Sequence, residues 1–299
     1  MVRITEERNP NSIGIDEVTV EEVLRIINAE DRWVPTAVAG QLSSIADAVE
    51  ALAATLSVGG RVFFVGAGTS GRMGVIEAAE MPPTFGVPLG SFQAVMAGGQ
   101  DAVFRSVEEA EDDESAAERA LRKSMFSEGD ILVALSASGR TPFVISALKV
   151  ARDLGSKTVT ITCNPEAPAN RLTDIPIVVD VGPEVVAGST RMKAGTAQKL
   201  VLNMLTTAAM IKLGRVYDGY MVGVKPTSRK LRERATRTVC SITGMRPEEA
   251  AEALDHVGGD VKVAVLMAKT DSNPNESRRV LEQAGGSLRR ALDMMEGIR

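Results

Sequence analysis

Three stretches of the chain combine glycine with serine and threonine in a way that suits an anion. They read Gly66-Ala67-Gly68-Thr69-Ser70-Gly71-Arg72, Ser136-Ala137-Ser138-Gly139-Arg140-Thr141-Pro142 and Gly188-Ser189-Thr190-Arg191-Met192-Lys193-Ala194-Gly195-Thr196. Each leads into a helical pattern, and the first two directly follow apolar runs. Free backbone N–H groups and the positive end of a helix dipole would therefore gather at these points. The hydroxyls of Thr69, Ser70, Ser136, Ser138, Thr141 and Ser189 add donors. Gly68 and Gly139 let an oxyanion approach the main chain, and Lys193 supplies countercharge. One such loop would be an ordinary turn or helix cap. Two hydroxyl-rich loops at equivalent strand–helix junctions point instead to a phosphate. Gly66-Ala67-Gly68-Thr69-Ser70-Gly71 has the spacing G-x-G-x-x-G, which alone is a weak dinucleotide signal, and no stretch reads G-x-x-x-x-G-K-[ST]. With a second hydroxyl-rich loop at an equivalent junction, the expected ligand is a phosphorylated small molecule.

Composition narrows the chemistry further. Among 299 residues there is one histidine, His256, and two cysteines, Cys163 and Cys240. Zinc sites of the Cys/His kind, a disulfide framework and most histidine-based triads are disfavoured. Acid–base work falls to carboxylates, Lys, Tyr or Ser/Thr. The formal net charge of −5 argues against a nucleic-acid partner, which needs a basic surface. The longest apolar stretch, residues 200–211, is interrupted by Asn203, Thr206 and Thr207 and is too short to span a bilayer. The opening residues lack the apolar run of a signal peptide, so a cytoplasmic protein with no membrane partner is expected, its cysteines reduced. Cys163, closing an apolar run, reads as a buried small hydrophobe.

The elements that must carry these loops are legible as alternation. Near-continuous apolar runs at 61–66, 92–97, 130–136, 157–163 and 175–181 suit strands covered on both faces. Between and after them lie helical patterns at 70–80, 101–123, 142–154 and 194–213, with two more at 20–30 and 35–56. Such alternation predicts βαβ crossovers and a parallel sheet, whose ligands bind at the carboxyl ends of the strands. After about Tyr217 no strand pattern is visible. Short helical segments are divided by Gly244, Gly258-Gly259, Asn273-Pro274 and Gly285-Gly286, which predicts a small all-helical C-terminal domain. The basic stretch 228–237 reads as a solvated linking helix. The expected division is residues 1–51 as an N-terminal extension with helices, 52–215 as the phosphate-binding domain and 216–299 as the helical domain.

The paired G-x-G-T-S and S-x-S-G-x-T loops resemble the sugar isomerase (SIS) fold. That resemblance implies a three-layer α-β-α sandwich with a five-stranded parallel sheet. A longer set of motifs is more specific: Glu80-Met81-Pro82-Pro83-Thr84-Phe85-Gly86, Ala110-Glu111-Asp112, the loop at 138–142 and the run from Gly188 to Lys199. With Thr5-Glu6, Arg8-Asn9-Pro10, Ile15-Asp16 and Ile27-Asn28-Ala29-Glu30-Asp31, these resemble the N-acetylmuramic acid 6-phosphate etherase (MurQ) family. The likeness runs in register to about Lys225 and continues weakly beyond. Glucokinase regulatory proteins share several motifs but carry a second such domain, for which this chain has no room. The helical domain, through Gly258-Gly259-Asp260-Val261-Lys262, resembles a ubiquitin-associated-like module.

The resemblance implies a lyase of cell-wall sugar recycling that cleaves the D-lactyl ether at C3 of an amino-sugar phosphate. The family's scheme is elimination of lactate from the ring-opened sugar followed by addition of water, with no metal or redox cofactor. Its two catalytic carboxylates map onto Glu80, assigned as the acid at the departing oxygen, and Glu111, assigned as the base at C2; the two roles are interchangeable on sequence grounds. Glu80 ends an apolar helix and precedes Met81-Pro82-Pro83, a partly buried setting that would keep a carboxyl protonated. Glu111 follows Phe104 by seven residues and Val107 by four and so continues their apolar helix face; Glu118 falls near the same face. Apart from the resemblance, Glu77 stands little below Glu80.

A helix over 70–80 is roughly 15 Å long, whereas a six-carbon sugar phosphate reaches on the order of 7–8 Å. One substrate molecule cannot touch both ends. Either the phosphate sits mainly on the loop at 136–141, or Glu80 serves a site shared with a second subunit. The resemblance to the SIS family, whose members commonly share sites in dimers, implies a homodimer with its active site near the interface. A non-catalytic sugar-phosphate sensor would need the loops and neither carboxylate, and an isomerase would need the loops and one base. Both alternatives stay open on sequence grounds.

Overall fold

The computed structural model describes residues 4–107, 109–224, 226 and 228–297. Three helices come first: α1 (Val20–Asp31), α2 (Trp33–Ala39) and α3 (Leu42–Ser57). Residues 35–56, expected as one helix, break at Gly40-Gln41. The alternating block then runs β1 (Val62–Gly66), α4 (Gly68–Phe85), β2 (Phe92–Met96), α5 (Asp101–Phe104), α6 (Glu114–Lys123), β3 (Ile131–Leu135), α7 (Pro142–Asp153), β4 (Lys157–Thr162), β5 (Ile175–Val178) and α8 (Lys193–Lys212). The strands form one parallel sheet in the order β2-β1-β3-β4-β5.

The sheet is covered on both faces, which is why its strands read as continuous apolar runs. On one face Phe63, Val65, Leu132 and Ala134 pack with Ala117 and Leu121 of α6 and with Phe143, Ala147 and Leu148 of α7. On the other face α4 lies so close to β1 that a Cβ on Gly74 would meet the Phe64 Cβ at 2.8 Å, and one on Gly71 would meet the Gly66 carbonyl oxygen at 2.7 Å. These glycines serve close helix–strand packing. Helices α4 and α7 thus leave the neighbouring strands β1 and β3 toward opposite faces.

Two expected helices differ. The helix at 70–80 extends to Phe85 with Pro82 and Pro83 inside it. Proline removes a backbone donor and normally ends a helix, but burial of Met81 and Phe85, one turn apart, outweighs that loss here. The helix at 101–123 is broken into α5, a 3-10 turn at Ala110–Asp112 and α6. Asp113 caps α6 by accepting from the Ala116 amide at 2.9 Å, and Glu109 adopts a left-handed backbone at φ 66°. A side-chain cap and a left-handed residue both stop a helix from running through.

The chain forms two compact units. One holds the residues up to Ala79 with Gly90–Thr206; the other holds Glu80–Leu89 with the chain from Thr207 onward. The second unit contains a two-stranded antiparallel hairpin, β6 (Val216–Tyr217) and β7 (Tyr220–Met221), that the sequence reading missed because two-residue strands leave no alternation to see. It continues with α9 (Arg229–Thr243), α10 (Pro247–His256), α11 (Val261–Thr270), α12 (Pro274–Gln283) and α13 (Leu288–Glu296), divided at the expected glycines and Asn273-Pro274. Its own core includes Val239, Leu254, Ala264, Leu266 and Leu292. Among the described residues no helix is long and apolar enough to cross a membrane.

Candidate functional site

Strand order 2-1-3-4-5 reverses direction between β1 and β3, and at such a switch point a crevice opens outside the carboxyl ends of the strands. Gly66 pairs with Leu135 across these strands. The first two hydroxyl-rich loops therefore start side by side, from Ala67 and from Ser136. The second loop is internally bonded. Its Ser136 Oγ lies 3.0 Å from Thr141 Oγ1 and accepts from the Gly139 amide at 3.0 Å, while Ser138 Oγ accepts from the Arg140 amide at 3.3 Å. Gly139 sits at φ +62°, where a Cβ would lie 2.3 Å from the Ala167 Cβ. Only glycine fits that position. The loop delivers the chain to Thr141 and Pro142, the start of α7, where the first-turn amides lack acceptors within the helix and the dipole favours an anion.

The first loop borders a cavity of about 330 Å³ at the carboxyl ends of β1 and β2. Its walls include Gly68, Arg72, Met96, Ala97, Glu109 and Glu111. Gly68, at φ +52°, has open space where a side chain would stand. Arg72 lines this space with a guanidinium tied in part to the main chain. Its Nε donates to the Val103 carbonyl at 3.0 Å, and Nη2 donates to Ala102 at 2.8 Å and Arg105 at 3.2 Å. Thr69 reaches toward α8, close enough that a Cβ on Gly195 would meet its Cγ2 at 3.3 Å. The first and third motifs are thereby neighbours, and Ser70 stands half-buried beside them.

The third motif is organised differently from the expectation. Lys193 is 2% exposed, and its ammonium donates to Glu30 Oε2 at 2.6 Å instead of facing an open loop. Glu30 also accepts from Asn9 at 2.7 Å and Asn11 at 2.7 Å, and Asn9 bonds the Pro183 carbonyl at 2.9 Å. Burial would raise the Glu30 carboxyl, but donation from Lys193, Asn11 and Asn9 outweighs it and holds the group below the usual carboxylate range. The N-terminus of α8 is filled from within. Glu184 accepts from the Lys193 and Ala194 amides, each at 2.9 Å, and its burial pushes the carboxyl up despite those bonds. Ser189 stays half-buried in the connecting turn. Glu184 was not singled out in the sequence; lying nine residues before Lys193, it is outside the one-turn spacing of a helix cap.

The two carboxylates differ from expectation in burial and in the element that carries them. Glu80 is exposed, not partly buried, and lies in the middle of α4. The buried face of that helix takes Glu77, which is 5% exposed and accepts from Asn203 at 2.7 Å and from the Thr206 hydroxyl. Glu111 sits in the 3-10 turn, exposed, and the helix face on which it was placed does not exist: Phe104 is 87% exposed. Glu111 reaches the cavity through the turn instead. The described walls of that cavity do not include Glu80. Cys163 is buried and unpaired, and burial pushes its thiol far up, which suits packing and not reactivity.

The model of the SIS domain matches residues 108–208, and that of the glucokinase regulatory protein N-terminal SIS domain matches residues 44–152. Among solved structures, a phosphoheptose isomerase from Francisella tularensis is similar at TM-score 0.52 and 19% identity, covering 65% of this chain and 100% of its own. Another from Neisseria gonorrhoeae gives 0.51 and 19%, covering 64% and 98%. Fold and matched domain define a sugar isomerase (SIS) domain protein with an added helical unit. The full length is matched more closely. An N-acetylmuramic acid 6-phosphate etherase from Serratia proteamaculans is 48% identical over 289 residues, 97% of each chain. One from Pectobacterium atrosepticum is 46% identical over 289 residues, 97% of this chain and 95% of its own. The chain belongs to the N-acetylmuramic acid 6-phosphate etherase family.

Proposed function

We propose that the protein converts N-acetylmuramic acid 6-phosphate and water to N-acetylglucosamine 6-phosphate and D-lactate, acting as a carbon–oxygen lyase. The observation that carries this reading is the pair of hydroxyl-rich loops at the β1/β3 switch point in a chain matched to etherases over nearly its whole length. The loop at 136–141 and the start of α7 take the phosphate, with Ser136, Ser138, Gly139 and Thr141 shaping its donors. Gly68, Thr69 and Ser70 border the sugar, and Ser189 adds a hydroxyl. Lys193 acts from behind, holding the third motif through Glu30.

An ether oxygen is a poor leaving group, so the chemistry runs through the open-chain aldehyde. Glu111 removes the C2 proton, and the electron pair passes into the C1 carbonyl as an enolate. The enolate expels the lactyl oxygen from C3, and that oxygen takes a proton from Glu80. Water then adds at C3 of the α,β-unsaturated aldehyde, giving its proton to Glu80, while C2 recovers a proton from Glu111. Glu80 lies about 18 Å along α4 from Gly68 at 1.5 Å per residue, beyond the span of one sugar phosphate. The reading therefore includes a homodimer in which Glu80 and Glu111 of one site come from different copies. Helix α1 supports a second copy: it buries none of its residues, and Val20 and Leu24 on one face are 76% and 60% exposed.

The test is incubation with N-acetylmuramic acid 6-phosphate in deuterated water. Free D-lactate with deuterium at C2 of the sugar is expected. Glu111→Gln should lose both label and lactate; Glu80→Gln should exchange C2 while releasing little lactate. Aldose–ketose interconversion would assign an isomerase instead. Folded protein that binds the sugar phosphate yet yields neither lactate nor label would leave a sensor.

A further inference from the structure

The second unit holds a cavity of about 810 Å³ that the reaction above does not use. It opens where the motif Gly258-Gly259-Asp260-Val261-Lys262 turns from α10 into α11. Its walls include Val222, Val257, Val263 and Leu281, and its charged lining is Arg215, Arg232, Lys262 and Arg278 against Asp260 and Glu282. Among the described lining residues four cations face two acids, and with Arg232 paired to Asp255 the balance is 3 − 2 = +1. The acids do not neutralise the centre. Asp260 accepts from the Val263 amide at 3.1 Å as the cap of α11, and Glu282 is exposed. Of the cations, Arg232 faces Asp255 at 3.4 Å, and Arg278 donates weakly to the Val257 carbonyl at 3.4 Å. Lys262 donates to the Gly286 carbonyl at 2.6 Å, which fixes its ammonium without neutralising it.

We propose that this cavity binds a phosphomonoester, separately from the substrate loops. Arg215, Lys262 and Arg278 are three cationic donors with no carboxylate partner among the described residues, a set that suits the three oxygens of a phosphomonoester better than the two of a carboxylate. Arg215 offers a planar fork for two oxygens and Lys262 a point charge for the third. The apolar walls give the ligand's neutral body a surface to cover, and the volume suits a small metabolite. A bound anion would offset the cost of holding Lys262 charged beside Arg215. Burial first, and then the charge of Arg215, push the Lys262 ammonium down to about 8, against the opposing pull of Asp260.

The experiment is calorimetric titration of the full chain with N-acetylglucosamine 6-phosphate and, separately, inorganic phosphate. The proteins compared are wild type, an Arg215→Gln/Lys262→Gln variant, and a Ser138→Ala/Thr141→Val variant of the loop. Wild type should show two classes of binding. The cavity variant should lose one, weakened roughly 10- to 100-fold by loss of charged partners, and keep the class that the loop variant loses. Because Lys262 also holds the Gly286 carbonyl, Arg278→Gln, on an exposed side chain, serves as a second variant and should weaken the same class while the melting temperature stays. At pH 8 to 9, binding in the cavity should take up a proton as Lys262 recharges, read from buffers of different ionisation heat; a purely structural lysine would not give this. Binding by both phosphates identifies a general phosphate site, and binding by the sugar phosphate alone identifies a sugar-phosphate effector. Isotherms of the cavity variant identical to wild type overturn the proposal.

Discussion

Lys193 carries a positive charge in a hydroxyl-rich loop and gives it to Glu30, not to solvent. Residue type and neighbours could not show this, because the partner lies 163 positions away in the chain. Lys193 is buried and Glu30 half-buried, so removing the carboxylate strands the ammonium. Glu30→Gln should cost about 3 kcal/mol at neutral pH. Its pH dependence has a definite sign. The Glu30 carboxyl is held below its usual range, so its stabilisation is fully present above the unfolded value and is lost as pH falls through the folded one. Urea denaturation of wild type and Glu30→Gln should give a constant difference above about pH 5 and a shrinking one below about pH 4. A difference independent of pH would show that the network does not depend on the ionised carboxylate. Glu184 makes a complementary case. Glu184→Ala leaves two buried amides of α8 without their acceptor and should cost about 2 kcal/mol, visible as a lower denaturation midpoint with unchanged slope.

At the scale of elements, the strands and the two loops on β1 and β3 were legible because each leaves a local signature: continuous apolar runs, then glycine with hydroxyls. The segment bearing Glu111 was not. Its helical spacing over 101–123 is genuine, but a cap at Asp113 and a left-handed Glu109 override it, and both depend on backbone geometry that spacing does not encode. The segment is held instead by packing and by one side chain. A Cβ on Gly98 would meet those of Ala102, Val107 and Ala110 at 2.9, 3.1 and 3.2 Å, so the turn at 98 fits tightly against it. Arg72 ties the carbonyls of Ala102, Val103 and Arg105 to α4. Arg72 should thus act as a positioning residue for Glu111. Arg72→Ala is expected to lower kcat for lactate release about 10- to 100-fold, the scale of an ångström-sized misplacement, with a much smaller change in KM. Arg72→Lys, whose three donors sit on one nitrogen and cannot span the carbonyls that Nε and Nη2 reach separately, should fall between. Amide exchange should quicken across 101–112 in both. Faster exchange with unchanged kcat would separate the segment's order from the chemistry.

At the scale of the whole molecule, the proposed roles of Glu80 and Glu111 raise the question whether one copy or two supply them. In the proposed reading a substrate held at Gly68 does not reach Glu80 along α4 and takes it from a second copy, for which the exposed Val20 and Leu24 of α1 offer a face. A closed two-fold dimer with shared sites makes a quantitative prediction. Neither Glu80→Gln nor Glu111→Gln protein should release lactate alone. In a dimer of one copy of each, one site receives both substitutions and the other receives neither. Equal co-expression gives mixed dimers about half the time, each with one intact site of two, so lactate release should recover to roughly a quarter of the wild-type value. Leu24→Asp, which places a charge in the exposed α1 stripe, should shift sedimentation toward monomer and abolish that recovery. If each copy built its own site, every site in the mixture would keep one substitution and no activity would return. Mixed dimers confirmed by mass and still inactive would place both carboxylates of a site in one chain, and the distance argument along α4 would then have to yield to a bend or movement of that helix.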